Sequence, residues 1–271
     1  MRIVPLPAPL GAIVQGFDPA LAPTRADAHA LQAALGKHLL LLFKSPLLSP
    51  PQLLAFAANF GVPEAHGIVS GIPAQERISE IRKEPWHVHN YGGTWHSDLS
   101  FMACPPVATV LQAKELPARG GDTLWSNQYL AYDSLAPGLR ERVDALTAEH
   151  VSHIAFNGMA QEVFSALHPL APVHPGTRRR YLYANPVSIV RLVADGADVG
   201  DGVALLASLV CHAIREETQY RHRWAAGDIL VWDNRSTMHM AMNDYAGQRR
   251  VMHRVVVTSM DDRLKRHSRP P

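Results

Sequence analysis

The spacing of apolar residues changes along the chain, and the changes outline its elements. In TRADAHALQAALGKH, residues 24 to 38, Ala28, Leu31 and Leu35 recur at the interval of one helix face, and Thr24 stands where an N-cap belongs. LLLLF, Leu39 to Phe43, is a short continuous apolar run of the kind that forms a buried strand. SPPQLLAFAANFG follows, with Ser49 as cap, prolines in the first turn and Gly61 as the stop of a second helix. Beyond residue 106 the pattern is different. VATVLQAKEL (107–116), GDTLWS (121–126), RYLYANP (180–186), GDILVWD (227–233) and RRVMHRVVVTS (249–259) are short, β-rich segments punctuated by turns such as PARGG. One helix interrupts them, VALLASLVCHAIREET, with Val203, Leu206, Val210 and Ile214 expected on one face. Short strands between Gly/Pro turns predict a sandwich or jelly roll, mainly β with flanking helices. No internal repeat, low-complexity tract or linker divides the chain, so one domain over residues 1–271 is expected.

Composition narrows the function classes. With 47% hydrophobic and 18% charged residues, the chain is an ordinary globular one. A net charge of +2 is too mild to predict nucleic acid or an anionic membrane surface as partner. No apolar run approaches the ~20 residues of a membrane helix. The start, MRIVPLPAPLGAIV, carries two prolines and lacks the continuous apolar core of a signal peptide. Cys104 and Cys211 form no C-x-x-C pair, which fits a reducing, cytoplasmic setting. The basic end, RLKRHSRPP, is read as a solvated tail.

Chemistry enters with YGGTWHSDLSF, residues 91 to 101. In an extended H-x-D segment the side chains of His96 and Asp98 share a face, so an imidazole and a carboxylate can converge on one ion. A third ligand is needed. If it is histidine, the set is a 2-His-1-carboxylate triad, which leaves adjacent positions open and suits non-haem Fe(II). His66, His87, His89, His153, His168, His174, His212, His222, His239 and His253 are all available, and spacing alone does not choose among them. Two features favour His239: it follows the strand-like GDILVWDNRSTM, and QRRVMHR soon brings three arginines into a β-rich segment, where buried guanidinium groups imply an anion. Trp95 and Trp232 are read as packing residues, and Thr123 by itself fits an ordinary strand residue as well as a ligand-binding one. Arg249 and His253 are expected to face away from the site, and Asp233 and Asn234 are turn formers beside His239.

WHSDLSF, GGDTLW, GDILVWDNRSTMHMA and QRRVMHRVVV stand in the order and spacing of one family, and the likeness runs from PLGAIVQGFD to HRVVV. The chain resembles the TauD/TfdA family of Fe(II)- and 2-oxoglutarate-dependent dioxygenases. The resemblance implies a double-stranded β-helix core, the jelly roll shared with cupins, and Fe(II), 2-oxoglutarate and O2 as cofactor and co-substrates. It makes His96, Asp98 and His239 the metal ligands. Thr123 and Arg250, eleven residues beyond His239, would bind 2-oxoglutarate, and Arg254 would lie near the primary substrate. The carboxylate at 98 favours hydroxylation, because related halogenases lack it. The implied reaction hydroxylates a small, anionic organic substrate with release of succinate and CO2, and hydroxylation beside an ether oxygen, a sulfonate or a similar group would cleave the bond. His66 matches a sulfonate-contacting histidine of taurine enzymes, whereas Val69 and Gly92 replace that group's tyrosine and asparagine. A sulfonate, alkyl sulfate or aryloxyalkanoate other than taurine is therefore expected. Gly92, Phe156, Asn157 and Tyr183 complete the expected substrate pocket. Expected partners are that small molecule and further copies of the chain in a homo-oligomer, with no nucleic acid and no membrane. The alternatives are a cupin-like metal-binding module without oxygenase activity and a zinc hydrolase. The clamp residues Arg250 and Thr123 tell against the first, and the lack of an H-E-x-x-H signature tells against the second.

Overall fold

A computed structural model describes residues 1–152 and 163–260. His153, Phe156, Asn157 and the tail RLKRHSRPP lie outside the described residues. The larger of three sheets runs, strand by neighbouring strand, Arg2–Pro5, Ala12–Gln15, Leu40–Lys44, Asp228–Asp233, Ala108–Glu115, Arg250–Thr258, Gln75–Lys83 and Gly71–Ile72, with Val62–Glu64 also paired to Arg250–Thr258. Its pairings are antiparallel except that between Ala12–Gln15 and Leu40–Lys44. A smaller sheet places Thr123–Asn127 between Gln219–His222 and Thr237–Ala241. Strand-distant pairs such as 41 with 231 and 123 with 241 make this the jelly-roll arrangement. Among the described residues, no helix is long and apolar enough to cross a membrane.

Side-chain alternation explains the continuous run at 39–43. Leu41 and Phe43 point to a core built with Val110, Val231 and Val255, which the helices Arg25–His38 and Pro50–Ala57 cover through Leu31, Leu35, Leu53 and Phe56. Leu40 and Leu42 point to the opposite side, where Leu111, Trp232 and Met252 meet Trp125 and Tyr129. The larger sheet is thus apolar on both faces, and the two-residue period disappears from its central strands. Helix starts follow the expected chemistry. Thr24 accepts from Asp27 N–H at 3.1 Å while the Asp27 carboxylate accepts from Thr24, and the Gln52 side chain reaches back to Ser49 N–H at 3.0 Å. Leu39 is the left-handed C-cap of the first helix and not part of the strand, which spans Leu40–Lys44.

Two further sequence expectations need correction. In the helix Gly202–Ala213 the buried face is Gly202, Leu205, Leu209 and Ala213, while Val203 is 83% exposed. Leu205 and Leu206, and likewise Leu209 and Val210, are adjacent apolar pairs, so two neighbouring faces satisfy the helical period equally well. RYLYANP is not a ladder strand. Tyr181, Leu182 and Tyr183 donate to Pro172, Gln128 and Leu170 in turn. Tyr181 and Tyr183 lean on one neighbouring segment, 170–172, while Leu182 between them turns to Gln128, so the contact with that segment amounts to an isolated bridge, Val173 with Arg180, and not a ladder. Its neighbours form a third sheet, in the order Ser165–Pro169, Thr147–Val151, Ile189–Ala194, Ala197–Asp198.

Candidate metal centre

Two backbone segments carry the donors. His96 and His239 form an isolated antiparallel bridge, with His96 N–H to His239 O at 3.0 Å and the reverse bond at 2.8 Å. Residues directly opposite in such a pair project to the same side, and the imidazole centroids lie 4.2 Å apart. Asp98, two residues along, brings Oδ1 to 3.7 Å from His96 Nε2 and 4.0 Å from His239 Nε2. The three ligand atoms lie within 4.8 Å of one another, and among the described residues this is the one His/Asp/Glu/Cys group compact enough to hold a metal ion.

Neighbours orient each donor. His96 Nδ1 lies 2.7 Å from Thr94 O, which only accepts, so Nδ1 carries the proton and Nε2 offers its lone pair. Asp98 Oδ2 accepts from Thr109 Oγ1 at 2.9 Å, which leaves Oδ1 for the histidine side. Asn234 grips the Asp98 backbone at both ends: Asp98 N–H donates to its Oδ1 at 2.7 Å, and its Nδ2 donates to Asp98 O at 2.8 Å. Burial would raise the Asp98 carboxyl, but His239, Arg254 and His96 outweigh it, and the group stays below the usual carboxylate range. Burial, reinforced by His96, pulls His239 down to about 3, so the imidazole is in the neutral, ligating form at ordinary pH. Two imidazoles and one carboxylate converging on one point fit a divalent transition metal of the Fe(II) type.

A buried cationic recess adjoins the triad. Thr123, Arg250, Arg254, Leu111, Trp232 and Met252 line it together with His96 and His239. Arg250 and Arg254 are 5% and 4% exposed, and Arg250 Nη2 and Arg254 Nε and Nη2 have no partner. Unpaired guanidinium N–H groups at this depth carry a desolvation cost that an anionic ligand relieves. Arg250 donates from Nε to Gly121 O at 3.1 Å, and burial lowers it from its ordinary value. Trp224 donates to Thr123 Oγ1 at 3.0 Å and lies under the Arg250 guanidinium, 5.9 Å from its carbon. Thr123 accepts this bond, which frees its own O–H to donate into the recess. Arg254 reaches Asp98 Oδ1 at 3.3 Å and lies 5.2 Å from the Tyr91 ring centroid. A dicarboxylate that also chelates the metal fits this surround.

On the other side of Tyr91 and His96, a second cavity is lined by His66, Ser97, Asp98, Leu99, Phe101, Val187 and Ser188. His66 accepts from Val69 N–H on Nδ1 at 3.2 Å, so Nε2 carries its proton. Burial, then Arg254, hold it down to about 3. It is a neutral N–H donor.

The structure therefore brings His96, Asp98, His239, Thr123, Arg250, Arg254, Gly92 and His66 to one centre. Gly92 lines the recess on the Arg250 side, not the cavity with His66. Its φ of +72° and a Cβ position 3.1 Å from His96 Cε1 account for the glycine. Tyr183 lines neither cavity. It is buried, stacked on His150 with centroids 5.1 Å apart. Trp95 and Trp232 pack in cores as expected, and Trp232 also abuts the His239 ring at 4.7 Å. Arg249 pairs with Glu84 and Glu115 away from the metal. His253 is buried, 3.5 Å from Glu80. Thr109, Trp224, Tyr91 and the hold of Asn234 on Asp98 are site features that the sequence alone does not announce. Only Asn234, beside His239 in DNRST, carried a signal.

The model of the taurine catabolism dioxygenase TauD, TfdA family matches residues 2–256. The chain belongs to this family. It is thereby an Fe(II)- and 2-oxoglutarate-dependent oxidoreductase, and the readings as a catalytically silent cupin-like module or a zinc hydrolase fall away. Among its relatives is an alpha-ketoglutarate-dependent sulfate ester dioxygenase of Pseudomonas putida, 30% identical over 99% of this chain and 95% of that protein. The 2,4-dichlorophenoxyacetate dioxygenase of Cupriavidus pinatubonensis is 29% identical over 87% of this chain and 89% of its own. A taurine dioxygenase structure from Burkholderia xenovorans superposes with a TM-score of 0.82 at 32% identity, covering 95% and 90% of the two chains. AAD-2 in complex with Mn(II) and N-oxalylglycine gives 0.85 at 26% identity, covering 96% and 98%.

Proposed function

We propose that this TauD/TfdA-family chain hydroxylates a small, anionic organic substrate, an alkyl sulfate, sulfonate or aryloxyalkanoate other than taurine, and that hydroxylation beside the heteroatom cleaves it. The observation that carries the reading is that the His96–Asp98–His239 triad shares one recess with two buried guanidinium groups bearing unpaired N–H donors. His96, Asp98 and His239 would hold Fe(II), and Thr123 and Arg250 the 2-oxoglutarate carboxylate remote from the metal. With O2, the bound iron and 2-oxoglutarate supply the oxidant, leaving succinate and CO2 and one oxygen atom on the substrate carbon.

The chain's own residues do the rest. Thr109 and Asn234 keep Asp98 Oδ1 directed at the histidines. Arg250 offers a planar, permanently charged donor pair suited to a carboxylate. Trp224 turns the Thr123 hydroxyl toward the same anion. His66 presents a neutral N–H toward an anionic substrate in the cavity bounded by Leu99, Phe101 and Val187, and Arg254, in the adjoining recess, adds positive charge close enough to act on His66. That apolar boundary suits an alkyl or aryl group better than taurine's ammonium, and the sulfate ester and aryloxyacetate specificities of the named relatives support the same class. Phe156 and Asn157, outside the described residues, stay assigned to the substrate side, whereas Gly92 belongs to the recess with Arg250 and Tyr183, which lines neither cavity, is set aside. The chain is read as one domain over 1–271, in keeping with the 2–256 family match, and as a cytoplasmic homo-oligomer.

Substrate-stimulated succinate formation across alkyl sulfates, sulfonates and aryloxyalkanoates tests the proposal. At least one alkyl sulfate or aryloxyalkanoate should stimulate strongly and taurine weakly. Taurine as the best substrate, or no stimulation by any member, would overturn the substrate class.

A further inference from the structure

RYLYANP meets the centre through a residue beyond Tyr183. Asn185 is 1% exposed. Its Nδ2 donates to Ser97 O at 3.1 Å and to Ser100 Oγ at 2.7 Å, and its Oδ1 accepts from Val187 N–H at 3.2 Å. Ser97, Asp98, Leu99 and Phe101 form one wall of the cavity beside the metal, and Val187 and Ser188 form another. A single carboxamide therefore joins the two walls. His150 Nδ1 holds the Ser100 hydroxyl from the far side at 2.9 Å.

What this lock restrains is visible in the backbone. Leu99, directly after Asp98, has φ of +51°, a left-handed conformation that a side-chain-bearing residue adopts only when its surroundings enforce it. The turn is closed by Met102 N–H to Leu99 O at 3.0 Å. Leu99 lines the cavity in that conformation. Relaxation to negative φ would re-aim its side chain.

We propose that Asn185 is a positioning residue for the primary substrate. It holds Leu99 in the left-handed turn and fastens that turn to the 186–188 segment, so that Leu99 is a fixed wall against which the substrate is seated. The metal ligand does not depend on it, because Asn234 and Thr109 hold Asp98 independently. That the occupant of the cavity is the hydroxylated substrate rests on the function proposed above. A loosened wall lets 2-oxoglutarate turn over without the substrate carbon in place, so succinate accumulates in excess of hydroxylated product.

Asn185→Ala, Leu99→Gly and the double variant provide the test. In Asn185→Ala, amide exchange at Met102 and at Val187 should accelerate about tenfold, the effect of losing a buried hydrogen bond. The visible band of the anaerobic Fe(II)–2-oxoglutarate complex should be unchanged. Glycine takes the left-handed turn freely, so in the Leu99→Gly background the same substitution should accelerate Val187 but not Met102. Equal acceleration of Met102 in both backgrounds, or in neither, overturns the proposal, as does loss of the band. With octyl sulfate as probe, the ratio of succinate to product should rise severalfold in Asn185→Ala; an unchanged ratio overturns the proposal. If octyl sulfate is not turned over by the wild type, the substrate reading is at fault, and the exchange measurements still decide the role of Asn185.

Discussion

Asp98 keeps one carboxylate oxygen for a metal because Thr109 takes the other. Thr109→Val removes that hydroxyl at nearly constant volume, and Fe(II) affinity should fall about 10- to 100-fold with the fold intact, the range for loss of a ligand-orienting partner. Metal titration monitored by competition checks it, and an unchanged affinity contradicts the role. Trp224 acts in the same manner on the co-substrate side. Trp224→Phe keeps an aromatic face beneath Arg250 but deletes the N–H bonded to Thr123. The 2-oxoglutarate dissociation constant should rise about tenfold, the worth of one oriented hydrogen bond, with metal affinity unchanged. Both residues were illegible in the sequence for one physical reason. A threonine in VATVLQA and a tryptophan in RHRWAAG look like ordinary strand and turn residues until pairing across 11 and 101 positions puts them against Asp98 and Thr123.

Elements whose signals are local could be read directly. The Thr24 cap and the Ser49 start depend on residues three positions apart, and short-range chemistry of that kind survives in any tertiary context. The face of the helix Gly202–Ala213 could not be read so well, because the third sheet, not the helix period, selects which of two apolar stripes is buried. Loops carry the element-scale prediction. Gly92 and Gly67 have φ of +72° and +81°, but a Cβ on Gly92 would meet the His96 ring at 3.1 Å while one on Gly67 would meet nothing within 4 Å. Each Gly→Ala change should cost about 1 kcal/mol of stability from the backbone alone. Only Gly92→Ala should also weaken Fe(II) binding. Equal effects on metal affinity would show that the contact with His96 is inconsequential.

At the scale of the molecule, buried histidines make stability depend on pH. His66, His150 and His239 are each held down to about 3, in every case chiefly by burial. Unfolded, each would titrate near the ordinary histidine value of 6.5. Between those values the unfolded chain binds the extra protons, so stability is full above about pH 6.5 and falls as pH drops toward 3, by about 1.4 kcal/mol per pH unit for each histidine. Denaturant unfolding of metal-free His150→Asn should show this slope reduced by about one proton's worth between roughly pH 4 and 6. An identical slope would mean that His150 is not titrating on unfolding. The overall architecture was legible as a class, since Gly/Pro-punctuated β segments do form a jelly roll. Which strands neighbour which was not, because Leu41 pairs with Val231 and Ala12 alike and apolar strands carry little register information of their own.

The metal and 2-oxoglutarate assignments meet in one optical measurement. Anaerobic addition of Fe(II) and then 2-oxoglutarate to the wild-type protein should produce a weak visible charge-transfer band from the chelate. His96→Ala should abolish it, and Arg250→Ala should shift its appearance to far higher 2-oxoglutarate concentration. A band of wild-type strength and affinity in both variants would contradict the site described for this chain.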